Sequence, residues 1–93
     1  MEFNVTAIRN AAKLITFAAN IGMDLDRIGE IAYHTESKKT FMRHDDYKFE
    51  LRISDSSNDI VASWYYGGVE WTKVCTEDTT LDGIDGLIEW SEK

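Results

Sequence analysis

Residues 47–76 read YKFELRIS, DSSND, IVASWYY, GG and VEWTKVCT in succession. Three β-rich runs divided by two turn signals predict a three-stranded antiparallel meander. Gly67-Gly68 suits a two-residue hairpin loop, in which both positions need positive φ. Closing that loop sets Tyr66 opposite Val69, Trp64 opposite Trp71 and Ile60 opposite Cys75. The Ser-, Asp- and Asn-rich stretch from Ser54 to Asp59 favours a second turn through local side-chain hydrogen bonds. Its symmetric closure sets Ile53 opposite Ile60, Leu51 opposite Ala62 and Phe49 opposite Trp64.

Side chains alternate faces along a strand with a period of two. One face of the meander then carries Tyr47, Phe49, Leu51, Ile53, Ile60, Ala62, Trp64, Tyr66, Val69, Trp71 and Cys75. The other carries Lys48, Glu50, Arg52, Val61, Ser63, Tyr65, Glu70, Thr72 and Val74. Three strands agree on one apolar face, and a slip of one residue would destroy that agreement. Lys73 is the exception. It falls on the apolar face of an expected edge strand, where a Lys can snorkel outward and discourage edge pairing.

Upstream, Asn4 suits a helix cap. Val5, Ile8, Ala12, Ile15 and Ala19 follow helical spacing, and Ala11, Leu14 and Ala18 widen the stripe. A helix over about 4–21 is expected, ending at Asn20-Ile21-Gly22 with Gly22 in a left-handed stop. Arg9, Asn10 and Lys13 would face water. Asp24 restarts the chain as a possible cap, and Leu25, Ile28 and Ala32 suit a short second helix to about His34. Gly29 weakens that helix, and Ile31 with Tyr33 also fits a strand. Residues 35–46 are polar. Within them, Lys39 to Arg43 fits a short extra strand beside Tyr47–Ser54, with Asp45-Asp46 in the turn.

Downstream, Glu77-Asp78-Thr79-Thr80 has the composition of a helix start, with Thr79 or Thr80 as cap and acids at the positive dipole end. Leu81, Ile84, Leu87 and Ile88 form the inner face of that last helix. Gly83 and Gly86 lower its intrinsic helicity and would permit close approach to the sheet. The expected architecture is an α+β two-layer sandwich, α(α)βββα, with the helices packed on the apolar face of the sheet. The polar face would meet water.

The 93 residues fit one domain, 1–93, large enough for a modest core, and the 43% hydrophobic content is that of a globular chain. There is no Pro, and a single Cys excludes an internal disulfide and fits a reducing compartment. No apolar run approaches the roughly 20 residues that span a bilayer. The first residues lack a basic segment followed by an apolar one, so no signal peptide is expected and the cytoplasm is the expected location.

The net charge of −7 is unevenly spread. Residues 1–53 hold eight acids and eight bases; residues 54–93 hold nine acids and only Lys73 and Lys93. Such a field repels nucleic acid and anionic membranes and steers toward basic partners. Asp82, Asp85, Glu89 and Glu92 recur at helical spacing and share one stripe beside the apolar face. Glu77 and Asp78 extend it. A solvated helix face can carry such a stripe for solubility alone. An ordinary solvated helix, however, gains from i, i+4 pairs of opposite sign, and this one forgoes them.

Other constellations carry less. Trp64, Trp71, Tyr66 and Phe49 could stack bases, but they occupy the face that the helices must cover. Tyr65, opposite them and near Glu70 and Lys48, is the better exposed contact. His34, His44, Asp45 and Asp46 lack the tight Cys/His pairs of a structural zinc site. Cys75, buried opposite Ile60, is expected to be inert. The glycines at 67, 68, 83 and 86 form no phosphate-binding loop. No cofactor, metal or catalytic residue is expected.

The order helix, three strands, helix resembles the double-stranded RNA-binding domain. That family grips phosphates with a Lys-rich start to its last helix, whereas TTLDGIDG here places Asp82 and Asp85 where bases are needed. The resemblance covers topology only and argues against RNA binding. The aromatic meander IVASWYYGGVEWTKVC and the acidic ending EDTTLDGIDGLIEWSEK are similar in style to small, acidic, phage-encoded inhibitors, including anti-CRISPR proteins. That likeness implies a host nuclease or its effector complex as target. The expected function is non-enzymatic inhibition of a basic, nucleic-acid-handling host protein, without direct nucleic-acid or membrane contact, by a monomer or homodimer. The expected contact residues are Glu77, Asp78, Asp82, Asp85, Glu89 and Glu92, with Tyr65 and Glu70. The alternative is a structural or regulatory protein that self-associates through Val61, Tyr65 and Val74 or through the edge strand 69–76.

Overall fold

Asn4 opens the first helix as expected: its side-chain oxygen accepts the Ala7 amide at 2.7 Å. The computed structural model describes residues 4–76 and 78–92. Helix α1 runs Val5–Asn20. Gly22 takes φ +80°, and the Met23 amide donates back to the Ala18 carbonyl at 3.0 Å, closing a left-handed stop.

The phase of α1 differs from the expected one. The buried line is Ala7, Asn10, Leu14 and Ala18, continued by Ile21. Val5, Ile8, Ala12 and Ala19 face solvent, and Ile15 is half-buried. Both lines obey helical spacing. Asn10, expected in water, is instead 4% exposed. Its polarity drew the expected inner face to the wrong side, while Leu14 and Ile21, flanked by small alanines, let the helix sit close on the sheet.

The sheet has five antiparallel strands in the order β1-β2-β3-β4-β5: Ile28–His34, Lys39–His44, Glu50–Ser54, Ile60–Tyr66 and Val69–Cys75. The three-stranded meander therefore understates it. The possible second helix resolves into a single 3-10 turn, Leu25–Arg27, followed by β1. Asp24 does cap that turn, accepting the Asp26 amide. Residues 39–44 form the extra strand, β2, paired to β3 with Met42 opposite Leu51.

The meander register holds. Tyr66 pairs with Val69, Trp64 with Trp71 and Ile60 with Cys75. Ile53 pairs with Ile60 and Leu51 with Ala62. The ladder between β3 and β4 stops at Glu50 and Ser63, so Phe49 lies beyond the last pair. Gly67 and Gly68 have φ +64° and +78°, as a tight hairpin needs. Tyr47 leaves the apolar face: it sits in a tight turn with φ +53° and is 42% exposed. Val69 is exposed and Ser63 buried, each against its assigned face.

Helix α1 lies across β2 and β3. The core joins Leu14, Ala18 and Ile21 to Met42, Leu51, Ile53, Ala62, Trp64, Cys75 and Leu87. The last helix, α2, runs Gly83–Ser91 and starts later than expected. Thr79 caps no helix; its hydroxyl accepts the Thr76 amide at 2.9 Å in a preceding turn. Glu77 lies outside the described residues.

The two α2 glycines do not serve approach to the sheet. Gly83, at φ +60°, donates its amide to the Ile21 carbonyl at 2.7 Å, and a Cβ there would lie 3.0 Å from the Gly22 oxygen. A Cβ on Gly86 would meet Leu81 at 2.9 Å. What fastens α2 to the sheet is Trp64. Its indole N–H donates to Ser91 Oγ at 2.6 Å, that hydroxyl donates to the Leu87 carbonyl at 2.9 Å, and its ring stacks on Trp90 with centroids 5.6 Å apart.

Candidate functional site

Asp82, Asp85, Glu89 and Glu92 all face solvent, as does Asp78 in the turn before them. Their presentation follows from the inner face of α2. With Gly83, Gly86, Leu87 and Ser91 buried, residues 82, 85, 89 and 92 must point away from the core. Asp82 stands at the cap position but makes no side-chain capping bond, so its carboxylate is left for other contacts. Among the described residues, Glu92 accepts only a long hydrogen bond, 3.5 Å, from the Tyr66 hydroxyl.

Among the described residues, no Lys or Arg forms an ion pair with these five carboxylates. Three of the four arginines of the first half, all but Arg9, are committed elsewhere. Arg27 pairs with Asp46 at 2.8 Å, Arg43 with Glu30 at 3.2 Å and Glu50 at 3.7 Å, and Arg52 with Glu50 at 3.8 Å. Arg43, Glu30, Glu50 and Arg52 spread over the sheet face turned away from α1, following the strand register. Lys73 reaches toward α2, but over the Trp90 ring, 5.8 Å from its centroid.

Beside the acidic stripe lies a cleft of about 470 Å³, lined by Thr79, Thr80, Leu81, Asp82, Gly86, Glu89 and Trp90. Two carboxylates in one cleft suit a cationic side chain. Trp90 had not stood out from the sequence. The signal was its place three residues after Leu87, at the border between the inner face and the acids.

Tyr65 and Glu70 do not join this site. They pair with each other across β4 and β5, and Tyr65 points away from the side that Trp64 shares with α2. Tyr65 is 46% exposed, with the Lys48 ammonium 5.3 Å from its ring centroid. The expected contact residues thus divide between an acidic helix and a separate patch on the opposite sheet face.

A second cleft, about 770 Å³, separates α1 from the ends of β4 and β5 and has Lys13, Phe17, Asp59, Cys75 and Asp78 in its lining. Burial pushes the Cys75 thiol up to about 11 from an ordinary 9.0, so it stays protonated at neutral pH. His44 is buried too. Its Nδ1 accepts the Asp46 amide at 3.1 Å and its Nε2 lies 2.8 Å from the Asp24 carbonyl, which fits an Nε2–H donor. Nδ1 thereby closes the β2–β3 turn, and Nε2 ties it to the segment that precedes β1. Among the described residues, no group of three or more His, Cys, Asp or Glu side chains is placed to hold a metal ion.

No family model, curated protein or solved structure matches this chain. Among the described residues, no helix is long and apolar enough to cross a membrane.

Proposed function

We propose that the protein is a non-enzymatic inhibitor of phage or mobile-element type, acting in the host cytoplasm. It blocks a basic, nucleic-acid-handling host protein through Asp78, Asp82, Asp85, Glu89 and Glu92, with Glu77 as their continuation in sequence. The observation that carries this reading is the set of exposed carboxylates on and before α2, left without Lys or Arg partners among the described residues. Fixed carboxylates on a rigid helix take the place of phosphates against lysines and arginines, and an arginine fits the cleft between Asp82, Glu89 and Trp90. The mechanism is competition for a nucleic-acid site, which needs neither a cofactor nor a reaction.

Immobilised protein and its Asp82→Lys/Asp85→Lys/Glu89→Lys variant, incubated with bacterial lysate at low and at high salt, test this. The native protein retains basic nucleic-acid-binding proteins at low salt and releases them to high salt or to added nucleic acid. The triple variant retains none of them while keeping its circular dichroism and melting temperature. Equal retention by both proteins removes the acidic helix as the contact surface.

A further inference from the structure

Helix α1 has two apolar stripes, and among the described residues the fold fully buries only one. The other is Val5, Ile8, Ala12, Ile15 and Ala19: Val5 is 72% and Ile8 59% exposed, Ala12 and Ala19 face solvent, and Ile15 is half-buried with one side against the core. Its spacing of three, four, three and four residues is the a/d seam of a helix pair, which selects a second helix as the surface that fits it. We propose that two copies of this chain pair antiparallel along α1, with the two-fold axis at Ala12. This stands on residues separate from the acidic helix and holds whether or not that helix binds a host protein.

The charge distribution selects both the second copy and its direction. From Asn4 to Met23 the chain carries Arg9 and Lys13 and no acid, so this is a face on which two copies of an acidic protein can approach. The Gly83 amide bonded to the Ile21 carbonyl fixes the start of α2 at the C-terminal end of α1. Antiparallel pairing along 16 residues sets the two acidic helices at opposite ends, separated by about 24 Å, well beyond a screening length of about 8–10 Å. Parallel pairing would bring them together and set Arg9 against Arg9. In the antiparallel pair Arg9 lies beside Thr16 of the second copy. The seam also fits itself in size. Ala12 meets Ala12 at the axis, Ile8 meets Ile15 on either side, and Val5 meets Ala19, so the helices approach closely at the centre.

Sedimentation velocity over a concentration series tests the pairing. The native chain shifts from monomer to dimer, and added salt leaves that shift unchanged or strengthens it, because the seam is apolar. Ile8→Glu, exposed in the monomer, raises the dimer dissociation constant about 100-fold or more while leaving circular dichroism unchanged. Under mild oxidation Ala12→Cys forms a covalent dimer and Lys13→Cys does not, with the native Cys75 buried and silent. A chain that stays monomeric up to its solubility limit overturns the proposal. So does an Ile8→Glu variant that dimerises as the native chain does, which would move the interface to the sheet, or equal crosslinking at positions 12 and 13.

Discussion

Cys75 shows how one residue couples pairing to pH. Its place opposite Ile60 was legible from the Gly67-Gly68 loop alone, because a two-residue turn fixes the register of everything it joins. Burial then lifts its thiol from 9.0 to about 11. The Tyr33 hydroxyl also rises above 10.0, held by its 2.7 Å hydrogen bond to the Asp55 carboxylate and by burial. Both groups are neutral when protonated, and the folded state holds both protons more tightly than the unfolded chain does. Their contribution is therefore complete below the unfolded values and is lost as pH rises through the folded ones. Between pH 9.0 and about 11, the native protein should lose about 2 kcal/mol more stability than Cys75→Ala, read from denaturant melts. Parallel curves for the two proteins would show that the thiol ionises as freely in the fold as outside it. Asn10 marks the limit of legibility at this scale. Nothing in its type announces burial, and its Nδ2 is buried without a hydrogen-bond partner among the described residues.

Helix α2 is short, and its position depends on two backbone contacts that a side chain would obstruct. Gly83 combines φ +60° with a Cβ position 3.0 Å from the Gly22 oxygen. Gly67 has a similar φ, +64°, but nothing within 4 Å of its Cβ position. Gly67→Ala should cost only the conformational strain, about 1 kcal/mol, and Gly83→Ala roughly 1–3 kcal/mol through strain plus crowding at the end of α1. The second loss should also disturb the Trp64–Trp90 stack, visible in near-ultraviolet circular dichroism. If Gly83→Ala leaves that signal and the stability intact, the junction between the helices yields without cost. The elements differ in how far the chain disclosed them. The meander was readable because turn chemistry and alternation agree. Residues 28–34 were ambiguous because Ile28 and Ala32 fit a helix while Ile31 and Tyr33 fit a strand. The outcome rests on β2, whose edge supplies partners from His44 to Lys39 for every residue of β1 except Gly29, where the register shifts. A long-range pairing of this kind leaves no local trace, and the two apolar stripes of α1 were equally undecidable until the sheet took one of them.

Charge organises the whole molecule. The first 53 residues sum to zero charge, and Arg27, Arg43 and Arg52 pair with acids of the same half. The excess of −7 lies in residues 54–93, and its exposed part is concentrated along the turn and helix at the end. That part of the candidate site was legible, because helical spacing alone sets 82, 85, 89 and 92 on one stripe. The separation of Tyr65 and Glu70 from it was not, since it depends on which sheet face α2 covers. A concentrated field of one sign acts at a distance, before contact, so it should set the association rate more than the lifetime of a complex. For a purified basic partner, raising salt from low to physiological ionic strength should slow association about 10-fold or more and leave dissociation nearly constant, as stopped-flow or surface-based kinetics would record. Asp82→Lys/Asp85→Lys/Glu89→Lys should flatten that dependence. Neutral substitution of Glu30, whose charge already faces Arg43, should leave it intact. An association rate indifferent to salt would mean that recognition rests on shape alone, with the carboxylates of α2 serving only to keep the protein in solution.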